Sequence, residues 1–260
     1  MILPASYSNG FAPRDGSPLY PELWTGCVGA WNPGLGPSGL TLRDWSGFGN
    51  HGTLTNGPTW GVASGRQGLL LDGSDDSVVC NNVVGGSSFS VSAWIRPTTL
   101  SYNNIAAHGY TGASLGFDLY AVSDGSVALY VRNGGGAPAG QSTPVSVVRV
   151  NNWVHVAATF AASTARIYIS GAEKPLTGSN NSSIAYGTNV VSIGRRQDGF
   201  GAFAGSITDF RLYSVALSAL EVNTLASRPG IAYEMAPRRR SSVLVAAFNR
   251  RRRLLLGASN

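Results

Sequence analysis

Charge is scarce in this 260-residue chain: Asp, Glu, Lys and Arg make up only 12% of it. Lysine is almost missing, since Lys174 is the single one among 19 basic residues. Arginine therefore carries the positive charge, and its planar fork pairs with carboxylate or phosphate better than a lysine does. Glutamate is also scarce, confined to Glu22, Glu173, Glu221 and Glu234. Glycoside hydrolysis needs paired carboxylates about 5 to 9.5 Å apart, and four scattered glutamates argue against such a pair. Serine–histidine–aspartate chemistry would have to draw on His51, His108 or His155. His155 falls inside a strand pattern and His51 in an Asn-His-Gly turn, so both read as structural. The chain is expected not to be an enzyme. No apolar run approaches the roughly 20 residues of a membrane-spanning helix, so no membrane partner is expected. The first residues lack a basic stretch followed by an apolar one, and Met1-Ile2 reads as a native start without a secretion signal. Two cysteines, Cys27 and Cys80, permit one disulfide, but without an export signal free buried thiols are expected.

What is abundant points to short strands. Gly counts 34 and Pro 13, the supply that many tight turns require. The stretch Asn152 to Gly171, NWVHVAATFAASTARIYISG, organises the rest. Trp153 to Phe160 is apolar at nearly every position and should be buried on both faces. In the next run Ala165, Ile167 and Ile169 face one way, Arg166 and Tyr168 the other. Ala162, Ser163 and Thr164 make the turn of an antiparallel hairpin. Phe89 to Ile95 alternates in the same way, and Pro97 ends it. Further strands are expected at Trp24–Trp31, Asn104–Ala107, Phe117–Val122, Val127–Arg132, Val190–Ile193 and Ser206–Tyr213. Leu42 to Trp60 reads as a loop dense in Gly and Asn. Ser218 to Ala226 is the one expected helix, with Ser218 and Glu221 at capping-box spacing. The fold class is all-β: a two-sheet antiparallel sandwich or jelly roll with one short C-terminal helix and extended arms at both ends.

Charge is also unevenly placed. Up to Pro237 the chain carries 12 basic and 13 acidic side chains, and Arg238, Arg239, Arg240, Arg250, Arg251, Arg252 and Arg253 supply the excess behind the net +6. The organisation read from this is an N-terminal arm over 1–23, a sandwich domain over 24–228 and an Arg-rich apolar tail over 229–260. In that tail Val243 to Phe248 and Leu254 to Leu256 are apolar on both faces, unlike a solvated segment. Arg238 to Arg240, Val243, Val245, Phe248, Arg250 to Arg253 and Leu255 are the candidate assembly residues. They would dock onto a neighbouring subunit by strand addition or as an apolar plug. The arginines would meet carboxylates or nucleic acid; the aliphatic interleaving favours protein.

Five motifs occur in order: DWSGFGNHGTL (44–54), GLLLDGSDDSVV (68–79), FSVSAWIRP (89–97), WVHVAATF with ARIYISG, and FAGSITDFRLYSVALSALEV (203–222). Together they resemble the laminin G-like, concanavalin A-like jelly-roll family over residues 24 to 226. One departure is Ser77, where the family often has an aromatic residue after its paired aspartates. The resemblance implies the jelly-roll fold and a scaffold used for sugar binding, protein binding, adhesion or virion structure. The alternating Glu/Asp strand pattern of glycosidases on this fold is not found. Members often hold calcium through loop oxygens, which makes Asp44, Asn50 and Asp209 candidate ligands and calcium a candidate cofactor. Asp72, Asp75 and Asp76 form a second oxygen-rich cluster; both sets equally suit turn capping. Tyr110, Phe200 and Phe203, in Gly-rich loops, are the candidates for stacking on a sugar.

The jelly roll with its Arg-rich extension looks like virion proteins of tailed bacteriophages. The expected function is a bacteriophage structural protein, capsid decoration or tail-associated, made in the host cytoplasm. Its partners would be other virion proteins and further copies of itself. The alternative is a carbohydrate-binding adhesion module recognising surface glycans.

Overall fold

The computed structural model describes residues 18–81, 83, 85–109, 115–135 and 139–235. It is a sandwich of two antiparallel sheets. The chain opens with a 3-10 turn at Pro21–Trp24 and β1 (Cys27–Trp31), then the two-residue β2 (Thr41–Leu42). β3 (Gly52–Thr55), β4 (Thr59–Ala63), β5 (Arg66–Asp72) and β6 (Ser77–Cys80) follow closely. Next come β7 (Phe89–Pro97), β8 (Asn103–His108), β9 (Leu115–Ala121), β10 (Val127–Asn133) and β11 (Ala139–Ser142). The hairpin read as the organising element is β12 (Val154–Ala161) with β13 (Thr164–Ile169), and short β14 (Ala172–Lys174) and β15 (Thr177–Gly178) succeed it. β16 (Val191–Ile193), the long β17 (Ala204–Tyr213) and helix α1 (Ala219–Leu225) complete the order.

One sheet runs β14-β13-β12-β7-β17-β5-β4 and the other β15-β11-β10-β9-β8-β16-β6-β3-β2. β17 is long enough to serve three neighbours. One edge pairs with β7, while the other takes β5 at residues 204–207 and β1 at 210–213. Period-two burial fills the space between the sheets. Phe89, Val91, Ala93 and Ile95 meet Phe117, Leu119, Leu129 and Val131 there, all fully buried or nearly so. Each of these side chains other than Ala93 contributes about 1.5–3 kcal/mol relative to exposure.

β7 and β12 are buried on their outer faces too, as the unbroken apolar run of β12 requires. A second apolar cluster covers that side: Leu23, Trp24, Ala157, Tyr168, Tyr213, Val222, Leu225 and Ile231. Ser90 explains how a polar residue fits there. Its hydroxyl donates to Val215 O (2.8 Å) and accepts from Leu217 N (2.8 Å), tying β7 to the segment entering α1. Ser218 caps α1 and Glu221 closes the capping box, as its spacing implies.

Three sequence readings need correcting. The stretch 42–60 is not all loop, because β3 and the start of β4 lie within it; runs of four or five residues rich in Gly and Thr give too few alternations to detect. The first strand begins at Cys27, with Trp24 closing the preceding 3-10 turn. The arms also start later than their composition suggests. Leu19 N donates to Glu234 O at 2.7 Å, Pro18 bridges Met235, and Ile231 and Ala232 are buried, so residues 18–23 and 229–235 pack on the sandwich.

Cys27 and Cys80 are both buried and unbonded, and burial pushes the Cys27 thiol up to about 12. Gly116 shows where glycine is obligatory. Its φ is +84°, and a Cβ would lie 1.8 Å from His108 O, so any side chain forces β8 and β9 apart.

Candidate functional site

Side chains on the outer face of the nine-stranded sheet build a groove. Strand register sets them in rows: Asn104 opposes Tyr120, Tyr120 opposes Ala128, Ala128 opposes Ser142, and Ser142 opposes Thr177. Ala128 is the short member of this row, and the depression above it measures about 350 Å³. That is within the range of small-ligand sites. Tyr102, Tyr120, Tyr130, Asp124, Ser126, Thr143 and Val145 are among the residues that line it.

Three tyrosines line it, and Phe200 packs against two of them. Tyr120 meets Tyr130 edge-on at 6.1 Å and Phe200 edge-on at 6.0 Å, and Tyr102 lies 5.5 Å from Phe200. Tyr102 (51% exposed) and Phe200 (43%) form a rim open to solvent. Gly201, at φ +71°, brings the backbone close to Tyr120 and Asn104; a Cβ there would lie 2.6 Å from Tyr102 O.

A charged network holds the walls. Arg196 reaches in from the loop before β17 and donates from Nη1 to Tyr120 Oη at 2.9 Å. Asp198 grips the same guanidinium twice, at Nε and Nη2 (both 2.7 Å), while Phe200 lies against it, 4.7 Å from ring centroid to Cζ. Asp118, fully buried beneath, pairs with Arg132 and lies 3.6 Å from Arg196 Nη1. Burial pushes the Asp118 carboxyl up against the pull of both arginines, and it pushes the Tyr120 phenol up as well. Burial works against the Arg196 cation, but Asp198, Tyr120 and Asp118 outweigh it and raise its pKa. In the groove lining Asp124 accepts from Ser126 N at 2.8 Å, and hydrogen bonds from Ser126 hold its carboxyl below the ordinary range. Asn104 is fully buried beside Tyr120, with neither side-chain polar atom bonded to protein among the described residues.

The sequence candidates fare unequally. Phe200 is not one of the residues lining the groove but packs against two that are, Tyr102 and Tyr120. Phe203 is fully buried in the core between the sheets, and no ligand could stack on it. Tyr110 lies outside the described residues, as do all the tail candidates from Arg238 to Leu255. Asp44, Asn50 and Asp209 do not form an open oxygen set. Asp44 already accepts from Ala30 N, Ser46 N, Ser46 Oγ and Asn50 N at 2.7 to 2.9 Å, and Asn50 Nδ2 donates to Val28 O. His51 completes this turn by accepting from Asp44 N. Asp209 accepts from Arg211 and from Gly230 N. Asp72, Asp75 and Asp76 do converge, with ligand atoms within 4.8 Å of one another. Their carboxylates serve the turn: Asp72 Oδ1 accepts from Ser74 N and Asp76 Oδ2 from Asp72 N.

Tyr102, Tyr120 and Tyr130 were not singled out from sequence. The signal for two of them was present, since the alternation that sends Phe117, Leu119 and Leu129 inward sends Tyr120 and Tyr130 to the opposite face.

A two-sheet antiparallel sandwich with a groove on one outer face is the architecture of lectin-like domains. The chain belongs to the concanavalin A-like lectin/glucanases superfamily, which it matches over residues 72–223. Human usherin is 25% identical over 142 residues, 52% of this chain and only 3% of usherin. Domain 4 of an extracellular GH43 arabinanase from Geobacillus stearothermophilus, solved with arabinotriose, superposes with a TM-score of 0.61 at 19% identity. It covers 77% of this chain and 98% of its own. The receptor-binding domain of botulinum neurotoxin D has a TM-score of 0.61 at 15% identity, over 79% of this chain and 53% of that one. The neurotoxin type C structure, whose cell entry is described as depending on two ganglioside molecules, has 0.61 at 14%, over 80% and 52%. The chain thus spans about half of the neurotoxin chains and a small fraction of usherin.

Proposed function

We propose that this chain is a non-enzymatic carbohydrate-binding module and that the groove over Ala128 is its site. The gathering of Tyr102, Tyr120 and Tyr130 around one polar depression, with Phe200 packed against two of them, carries the reading. Sugar rings present C–H faces that pack on aromatic rings and hydroxyls that need fixed acceptors and donors. Asp124, Ser126, Ser142 and Thr143 supply the latter at the groove wall. The sugar-bound arabinanase domain and the ganglioside-dependent neurotoxin support the same reading on the same fold. Among the described residues lining the groove the single carboxylate is Asp124, short of the pair that glycoside hydrolysis uses.

Ala128→Tyr should fill the depression without removing a hydrogen bond. The expected result on a glycan array is loss of at least about tenfold in affinity for every bound glycan, roughly 1.4 kcal/mol, with an unchanged melting temperature. Unchanged glycan binding by this variant would remove the groove from consideration.

The sequence of residues 236–260 carries a separate proposal, that the tail anchors the module to other subunits of a virion. Because Ile231 and Ala232 are buried, the informative truncation ends at Met235. Light scattering should find the full chain in a defined oligomer and the truncated one monomeric; equal masses would sink the anchor.

A further inference from the structure

We infer that the groove selects neutral oligosaccharides and rejects sialylated, uronic or sulfated ones. The inference rests on the groove being a glycan site and adds which glycans enter it. Among the described residues lining the groove, Asp124 is the sole one with a formal charge, so an incoming carboxylate or sulfate meets a carboxylate and no cation in that lining. The arginines close by are already committed. Arg196 is bound by both oxygens of Asp198 and donates to Tyr120 Oη, and Arg132 is paired with Asp118. Asp118 and Asp198 pair with these two guanidinium groups, which leaves Asp124 as the formal charge among the described residues that line the groove. A site built for an anion presents a bidentate arginine or a cluster of backbone N–H groups. Here the polar lining is hydroxyl: Ser126, Ser142, Thr143, Thr177 and the phenols. Hydroxyls both donate and accept, which suits the hydroxyls of an uncharged sugar.

Isothermal titration of the full-length chain with matched probes tests this. Lactose and arabinotriose serve as neutral probes, 3′-sialyllactose and trigalacturonate as anionic ones. At least one neutral probe should bind, and each anionic probe should bind about tenfold more weakly or not at all. Asp124→Lys should narrow that gap and make anionic binding fall with added salt. Anionic probes binding as tightly as neutral ones, and losing affinity in Ala128→Tyr, would overturn the selectivity and keep the groove. Anionic binding untouched by Ala128→Tyr would overturn both, as would a folded chain that binds none of the probes.

Discussion

Replacing Asp209 by Ala should cost about 3–5 kcal/mol, the range for leaving a buried cation without its partner. Arg211 has no exposed surface, and Asp209 Oδ1 at 3.2 Å from its Nε is the one carboxylate it meets among the described residues. Its two terminal nitrogens make no hydrogen bond to protein among the described residues. Instead the guanidinium lies against the rings of both Trp24 (4.9 Å) and Tyr233 (4.5 Å), where aromatic faces offset part of its desolvation. The backbone is what brings Asp209 into position. Pairing of β17 with β7 slips between Thr208 and Arg211, and Asp209 adopts φ +47° there, a conformation that Asp tolerates better than most residues. The bulge turns its carboxylate toward Arg211 and toward Gly230 N at 2.8 Å. Losing it strands a charge and frees the segment that bears Ile231 to Tyr233. Chemical denaturation should show the drop, and hydrogen exchange should show residues 229–235 opening first. The variant carrying both Asp209→Ala and Arg211→Met should be more stable than Asp209→Ala alone, because the second change removes the stranded charge. Were the double variant worse, the cost would lie in the bulge and not in the ion pair.

Stability should fall as the pH drops below about 6.5. Burial depresses His155 to about 3 and His108 to about 4, from an ordinary value of 6.5. His155 touches Ser92 Oγ through Nε2 (2.8 Å) and Trp94 edge-on, and neither can stabilise an imidazolium as a carboxylate would. His108 packs on Phe117 and Tyr186. The unfolded chain takes up these protons from about pH 6.5 downward and the folded chain only near pH 3–4, so the unfolded state binds more protons throughout that window. Stability is complete above about pH 6.5 and falls as pH drops. At roughly 1.4 kcal/mol per unit, each imidazole should contribute about 2–3 kcal/mol of loss by about pH 4.5. Asp118 works in the opposite direction, since its raised pKa favours the folded state's proton uptake, and it offsets part of the slope. Urea midpoints measured between about pH 7.5 and 4.5 should fall steeply, and His155→Gln should flatten the curve. A flat wild-type profile would mean that these imidazoles are not held neutral.

The sheets were legible because strands such as Phe89–Ile95 and Ala165–Ile169 alternate over enough residues to define a face. The second apolar cluster was not. Trp24 Nε1 donates to Ala232 O across 208 residues of sequence, and no local pattern encodes such a distance. Phe200 and Phe203 illustrate the same limit at the site. Both sit in one Gly-rich run, yet one stands on the rim and the other is buried between the sheets. Glycine leaves the backbone free, so spacing alone cannot say which way a neighbouring ring turns. The groove itself depends on which strands are adjacent: Tyr120, Ala128 and Ser142 become a row only through the pairing of β9, β10 and β11. That pairing joins consecutive strands, but the face it presents is decided by the sheet packed behind it.

The bridge between Pro18 and Met235 has a mechanical consequence. Chain enters and leaves the sandwich side by side, so a pull applied between the two ends would not stretch the sheets along their strands. It would unzip the bridge and the Leu19–Glu234 hydrogen bond one contact at a time, the geometry in which hydrogen bonds resist least. Beyond it, the burial of Ile231 and Ala232 and the Trp24–Ala232 bond would be the next to yield. The domain could then lengthen under load at its seam while the two-sheet body, and the groove built on it, stayed folded.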